Sequence, residues 1–270
     1  MTFDATVDDG VLAVRRPSTR WLSTGWNGGF ERADVAYNVA VPDGWDRTDL
    51  EPYVEERRER AGFDSAGPSL LTGVEMQHAR GARLDPVWAF ATVGLSNPAA
   101  LPLEPVEGGD DRTDGPPFVD DADDRTADEP SNADESSNDE RRVGTVNLVV
   151  GTTRALDDGA LTTLLSVVVE AKAATLLALS GFPGTTSDAA VVGSAVDGGP
   201  ATFSGSATTV GAAARACVRA AVRASFRSRY ASRDVPRSVE AAKYGVVTDR
   251  RAEVFTPRDE RTTESTDSTP

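Results

Sequence analysis

Apolar residues recur at helical spacing from Leu161 to Leu179: Leu164, Leu165, Val168, Thr175, Leu176 and Leu179 share one stripe, with Lys172 in its middle. Val167, Val169, Ala174 and Leu177 make the opposite side apolar as well, which predicts a helix packed on more than one face. A short apolar run, Val143 to Val150, precedes it and has the length and composition of a strand. Earlier in the chain, Val11 to Val14 and Trp21 to Ser23 flank Arg15-Arg-Pro-Ser-Thr19, a spacing that predicts a hairpin. Asp34 to Val41 reads as a further strand, and Asp49 to Ala61 as a charged, exposed helix closed by Gly62.

Ser65 to Val74 and Val87 to Pro98 each run from apolar into small polar residues, as strands do when they deliver polar groups to a cleft. Gly184 to Val196 is a polar turn feeding a buried strand, and Ala201 to Gly205 a shorter one. Thr208 or Thr209 caps a second long helix that runs to about Arg229. Its Arg215, Arg219, Arg223 and Arg227 lie on one side and Cys217, Val218, Ala221 and Val222 on the other. The arginine row is read as a solvated face or a docking place for acidic chain, ahead of a phosphate site. Strands and helices in this order predict an α/β or α+β fold: a single domain with a mixed β-sheet packed by helices.

Composition changes that picture at one place. Residues 104–142 hold 15 acidic and 4 basic side chains among Gly, Pro, Ser and Asn, a net −11 of the whole-chain −15. Such a segment buries too little apolar surface to offset the entropy of ordering it, so a disordered acidic insertion is expected there. It divides one discontinuous domain, 1–103 with 143–255, and the Thr/Ser/Glu/Asp/Pro tail 256–270 is expected to be disordered too. The negative charge argues against nucleic acid or an anionic membrane as partner. Only Lys172 and Lys243 are lysines, against abundant Asp, which suggests a cytoplasm of high salt. One cysteine, Cys217, excludes an intrachain disulfide, and the chain opens without a basic, then apolar, leader, so a soluble cytoplasmic protein is expected.

The candidate chemistry centres on Glu170 and Lys172, the two ionisable residues of an otherwise apolar helix. A buried charge must be paired or its pKa must move; the alternative is a lysine that snorkels and a glutamate at the rim. The single His78 and Cys217 cannot build a His/Cys metal site, and no metal is expected. His78 reads as an ordinary surface or hydrogen-bonding residue. Ser23-Thr-Gly-Trp-Asn-Gly-Gly-Phe30 is either a tight turn or a loop that lets backbone approach a ligand. Nucleophile elbow, phosphate loop, dinucleotide fingerprint and His-Glu-x-x-His motifs are all missing.

Taken together, Asn27-Gly-Gly-Phe30 with Asn38, Leu71-Thr-Gly73, Ala91-Thr-Val-Gly-Leu-Ser-Asn97, Gly144-Thr-Val-Asn147, Glu170-Ala-Lys172, Thr186-Ser-Asp188, and Ser204-Gly205 with Thr208 and Gly211 occur in an order that resembles the adenosylcobinamide amidohydrolase (CbiZ-type) family. The resemblance covers nearly the whole chain outside the acidic insertion and the two ends. Ser187 and Asp188 depart from the family's more frequent Gly or Thr. The resemblance implies cleavage of the amide between the corrin propionyl side chain and aminopropanol, giving adenosylcobyric acid for cobalamin synthesis. The corrinoid is then a substrate, and no cofactor is expected. A non-catalytic corrinoid-binding or sensing protein is the alternative, and an amidase for smaller amides a further one.

Amide hydrolysis needs a nucleophile or activated water, donors for the oxyanion and a proton for the leaving amine. Glu170 is the expected base or its orienting partner, Lys172 the general acid or oxyanion donor, and Thr145 a candidate nucleophile assisted by Lys172. Residues two apart on a helix point about 200° apart, so one of Glu170 and Lys172 is expected to be a structural partner of an arginine or of Asp188. Asn27, Gly28, Gly29, Asn38, Thr92, Asn97, Asn147, Asp188 and Thr208 are the expected substrate-binding residues.

Overall fold

The computed structural model describes residues 2–42, 44–102, 144–242 and 244–257. The expected acidic insertion, Val143, Lys243 and all but the first two residues of the expected tail lie outside the described residues. The described residues form thirteen strands and three α-helices. They are β1 (Asp4–Asp8), β2 (Val11–Ser23), β3 (Gly29–Ala40), α1 (Leu50–Arg60), β4 (Ser69–Thr72), β5 (Arg80–Leu84), β6 (Val87–Val93), β7 (Pro98–Ala100) and β8 (Val146–Thr152). After these come β9 (Ala155–Leu156), α2 (Asp158–Ser180), β10 (Gly184–Thr185), β11 (Ala189–Ala195), β12 (Pro200–Ala201), α3 (Thr209–Arg229) and β13 (Val246–Val247). The main sheet is mixed, in the order β4-β3-β2-β11-β8-β6-β5, with β1 on the first half of β2. Pairs β3/β4 and β8/β11 are parallel and the others antiparallel.

The expected hairpin at Arg15 to Thr19 is instead a bulge within one long strand. The register of β2 against β3 slips between Arg15 and Thr19, and Ser18 takes a φ of 54°. Pro17, which has no N–H to give to the ladder, is tolerated at such a place. Arg16 turns inward, is 3 % exposed and is held by Asp197 at 2.5 Å. The bulge bends the β2–β3 hairpin so that its far half, with β1 and β4, lies over β8 and β11. Phe3, Leu12, Val14, Ala36 and Leu70 from the one half then pack on Trp21, Val149 and Val191 from the other.

Strand β8 shows how the layers divide. Val146, Leu148 and Val150 face α2 and α3, while Val149 faces the interior of the curled sheet. Helix α2 begins where the Asp157 carboxylate accepts the N–H of Ala160 and ends at Gly181, whose φ of 81° a left-handed cap requires. Helix α3 begins where Thr208 Oγ1 accepts the N–H of Gly211. By length and composition α2 would cross a membrane, but its stripe, Leu161, Leu164, Val168 and Leu176, is buried against the sheet and α3. The second packed face expected for α2 forms only in part among the described residues: Val167 is buried, while Val169 and Leu177 are exposed. The expected strand Ala201 to Gly205 reduces to Pro200–Ala201, because Ser204 instead donates its hydroxyl to Ala160 O and Gly205 supports the α3 cap.

Candidate active site

At one end of the curled sheet the interior turns from apolar to polar. Asn38 Nδ2 on β3 donates to Thr92 Oγ1 on β6 at 2.9 Å, and Asn147 Nδ2 on β8 donates to Asn38 Oδ1 at 2.8 Å and to Leu71 O at 2.9 Å. Thr145 Oγ1 lies 3.1 Å from Asn147 Oδ1 and 2.8 Å from Ser187 O, so its single proton serves one of the two at a time. All four side chains are buried. Polar groups in such a place are tolerated because each finds a partner, and the chain of bonds ties β3, β6 and β8 together across the sheet interior.

Beside this network sits the ion pair of Lys172 and Asp188. The Asp188 carboxylate also accepts the N–H of Val146 at 2.9 Å, the N–H of Thr185 at 3.1 Å and the Thr185 hydroxyl at 2.5 Å. Asp188 thereby fixes the start of β8, the β10 turn and the middle of α2 to one another. The sequence allows this because residue 184 is glycine: a Cβ there would collide with Asp188 Oδ2 and come within 3.0 Å of Lys172 Nζ. Glu170 lies elsewhere, on the surface, with its carboxylate 2.5 Å from Arg215 of α3. The two helix residues therefore part as their angular separation requires, one to Asp188 and one to an arginine.

A cavity of about 440 Å³ opens onto Thr145, Ser187 and Asp188. Thr24, Gly25 and Trp26 of the β2–β3 loop, Val41, Pro42 and Trp45 after β3, and Leu70 to Gly73 with Ala189 complete its wall. Among the described residues Asp188 is the one ionisable side chain lining it. A neighbouring cavity of about 240 Å³ shares Trp26 as a wall and contains Asn27. A larger open groove, about 1080 Å³, runs between the end of α2, Ser96 and residues 233–242, but it holds none of the buried polar network.

The other expected residues are spread more widely. Asn27, with φ of 53°, and Gly29, with φ of 119°, shape the β2–β3 loop. At Gly28 a Cβ would come within 2.5 Å of Ser23 O, so this glycine serves a close backbone approach. Asn97 Nδ2 donates to Thr186 Oγ1 at 2.5 Å, while its Oδ1 is buried with no partner among the described residues. Both Asn147 Nδ2 protons are already donated within the network, and Thr208 is spent as the α3 cap. His78 stands 3.1 Å from Ser228 of α3 and does not line the cavity; burial, then Arg229, Arg233 and Arg80, hold its pKa below the ordinary value. Cys217 is buried on α3, where burial pushes its thiol pKa up, as suits a core residue. Among the described residues no three His, Cys, Asp or Glu side chains are grouped as metal ligands.

The model of one family, adenosylcobinamide amidohydrolase, matches residues 2–234. The chain belongs to that family. It is 53 % identical over 260 residues, 94 % of this chain and 100 % of the relative, to an adenosylcobinamide amidohydrolase from Halobacterium salinarum. A second protein of that name, from Methanosarcina mazei, is 34 % identical over 76 residues, 28 % of this chain and 38 % of its own. No solved structure matches the chain. Part of the wall of the large groove, Val235 to Arg237 with Ala241 and Ala242, lies beyond the family match, whereas the whole lining of the 440 Å³ cavity lies within it.

Several cavity residues escaped the sequence reading. Thr24, Gly25 and Trp26 lie in the Ser23–Phe30 loop, Thr72 in Leu71-Thr-Gly73 and Ser187 in Thr186-Ser-Asp188, so the motifs contained them without marking them as site residues. Trp45 carried no sequence signal; it reaches the cavity because its ring packs on Tyr53 of α1, with centroids 5.4 Å apart.

Proposed function

We propose that this chain hydrolyses the amide joining the corrin propionyl arm of adenosylcobinamide to aminopropanol, releasing adenosylcobyric acid. The observation that carries the reading is identity of 53 % along the full length of a relative that bears the name of this activity. The site supports it: a cavity holding hydroxyls, a carboxylate and apolar walls suits a hydroxyalkyl amide better than a charged peptide.

In our reading the amide carbon docks beside Thr145. The Thr145 hydroxyl attacks the carbonyl carbon, its proton passing to the Asp188 carboxylate, which lines the same cavity. The Asp188 carboxyl then passes that proton to the departing amine, while the ammonium of Lys172 beside it offsets the negative charge that develops. The C–N bond breaks, aminopropanol leaves with that proton, and water hydrolyses the threonine ester to restore Thr145 and free the acid. Glu170 is assigned to the α2–α3 surface pair, and Asn38, Thr92 and Asn147 to holding Thr145 in place. The reading needs no cofactor besides the corrinoid substrate. It also sets the enzyme in the cytoplasm of a halophile, which the acidic composition, the lone cysteine and the Halobacterium relative support.

The test is turnover of adenosylcobinamide by the purified full-length chain in high salt, following adenosylcobyric acid and aminopropanol by mass with and without chelator. Both products in both samples are expected. Saturable corrinoid binding without aminopropanol release would overturn the assignment, and loss of product with chelator alone would overturn the metal-free mechanism.

A further inference from the structure

The 440 Å³ cavity lies at the small end of the roughly 300–1,000 Å³ that enclose a drug-sized ligand, and an adenosylated corrin is larger than such a ligand. Only an arm of the substrate fits inside, so the macrocycle must rest outside the mouth. Trp26 stands there. It is 42 % exposed, and its ring forms a wall of both the 440 Å³ cavity and the neighbouring 240 Å³ cavity. In its loop Asn27 and Gly29 adopt positive φ, and at Gly28 a side chain would strike Ser23 O. An exposed indole at a cavity mouth is the surface a broad, largely apolar ring stacks on.

The second cavity has a different chemistry from the first. Asn27, Glu31, Glu51, Glu55 and Arg58 line it; Arg58 pairs with Glu55 at 3.9 Å, and its Nε is buried with no hydrogen-bond partner among the described residues. Carboxylates accept from a primary amide N–H while Asn and Arg side chains donate to its carbonyl, so this lining is complementary to a neutral carboxamide. A corrin carries several such carboxamide arms around its rim.

We infer that Trp26 divides a two-part corrinoid site: the larger cavity takes the aminopropanol-bearing arm to Thr145, the ring seats on the Trp26 indole, and the smaller cavity takes a second, unreacting carboxamide arm of the same macrocycle. The inference rests on the corrinoid reading of the function. Ring and second arm then bind equally in the ground state and the transition state, so Trp26 acts as a binding and specificity residue that sets KM rather than kcat.

The experiment compares wild type, Trp26→Ala, Trp26→Phe and Arg58→Met, all full-length, for KM and kcat with adenosylcobinamide and for inhibition by adenosylcobyric acid, which keeps the ring and lacks the aminopropanol. Trp26→Ala is expected to raise KM and the inhibition constant together by about tenfold or more while kcat stays within about threefold, as for an indole lost from a stacking contact. Trp26→Phe should recover most of that loss, and Arg58→Met should raise both constants several-fold. An unchanged melting temperature is expected for Trp26→Ala, whose side chain is largely outside the core. Wild-type values of both constants in Trp26→Ala would overturn the ring seat, and wild-type values in Arg58→Met would overturn the second-arm cavity. Absence of wild-type turnover would instead overturn the functional assignment.

Discussion

Lys172 in the middle of α2 is ion-paired with Asp188 sixteen residues later, and the two side chains are only 12 % and 11 % exposed. Removing one member of such a pair strands the other charge, which costs about 3–5 kcal/mol in fully buried cases. Lys172→Met is therefore expected to destabilise the fold by a few kcal/mol. Asp188→Ala should cost more, because it also orphans the N–H groups of Val146 and Thr185. Denaturant unfolding gives the order, and equal losses would show that the backbone bonds contribute little. In the fraction that folds, turnover by either variant should fall at least about a hundredfold.

Gly184→Ala tests the same pair without touching a charge. The new methyl would meet Asp188 Oδ2 and crowd Lys172 Nζ, so turnover should fall by at least tenfold even though alanine is otherwise an innocuous residue. Gly159→Ala in the first turn of α2 is the control, with only Asp157 Oδ1 at 3.6 Å. It should leave activity unchanged and stabilise by about 0.5–1 kcal/mol through helix propensity. Equal activity of the two variants would separate the ion pair from catalysis.

Thr145 is examined by replacing its hydroxyl while keeping its shape. Thr145→Val should lower kcat at least about a hundredfold, whereas Thr145→Ser should keep measurable turnover. The valine also leaves Ser187 O and Asn147 Oδ1 without this donor, at a cost of about 1–3 kcal/mol in stability. A folded Val variant with near-normal kcat would remove Thr145 as nucleophile and leave attack to water.

Glu170→Gln should change little. Its pair with Arg215 is solvent-exposed, 59 % and 40 %, and such pairs contribute about 0.2–1 kcal/mol. Turnover within about twofold of wild type is expected, and a hundredfold loss would return Glu170 to the mechanism.

His78 sets a pH dependence of stability. Its folded pKa lies below the ordinary 6.5 because burial and then Arg229, Arg233 and Arg80 disfavour the imidazolium. The unfolded chain therefore takes up this proton first as pH falls, so the contribution of His78 is present above about pH 6.5 and is lost as pH drops through the folded pKa. Melting temperatures from pH 8 to pH 5 should decline less for His78→Gln than for wild type; parallel curves would show that the folded and unfolded pKa values coincide.

Much of this was legible along the chain. The stripe Leu161, Leu164, Val168 and Leu176 announced α2, and Thr208 announced the start of α3, because helical period and capping are local properties. The ordered small motifs announced the family. Lys172 on an apolar stripe announced a charge that needs a partner, and the geometry of one helix turn announced that Glu170 does not share it.

What the tertiary structure alone decided is who meets whom. Asn147 bonds Asn38 across 109 positions because the bulge at Arg16 to Ser18 bends the β2–β3 hairpin over β8, and Thr145 bonds Ser187 across 42, the offset at which β8 and β11 pair in parallel. Read locally, Arg15-Arg-Pro-Ser-Thr19 is a turn; neighbouring strands on both sides, β3 and β11, hold it instead as a kink in one strand. Periodicity records which face of an element is apolar but carries no information about which distant element covers it. The placing of Trp26, Trp45, Thr72 and Asp188 around one cavity therefore follows from sheet curvature and packing, which no single stretch of the sequence encodes.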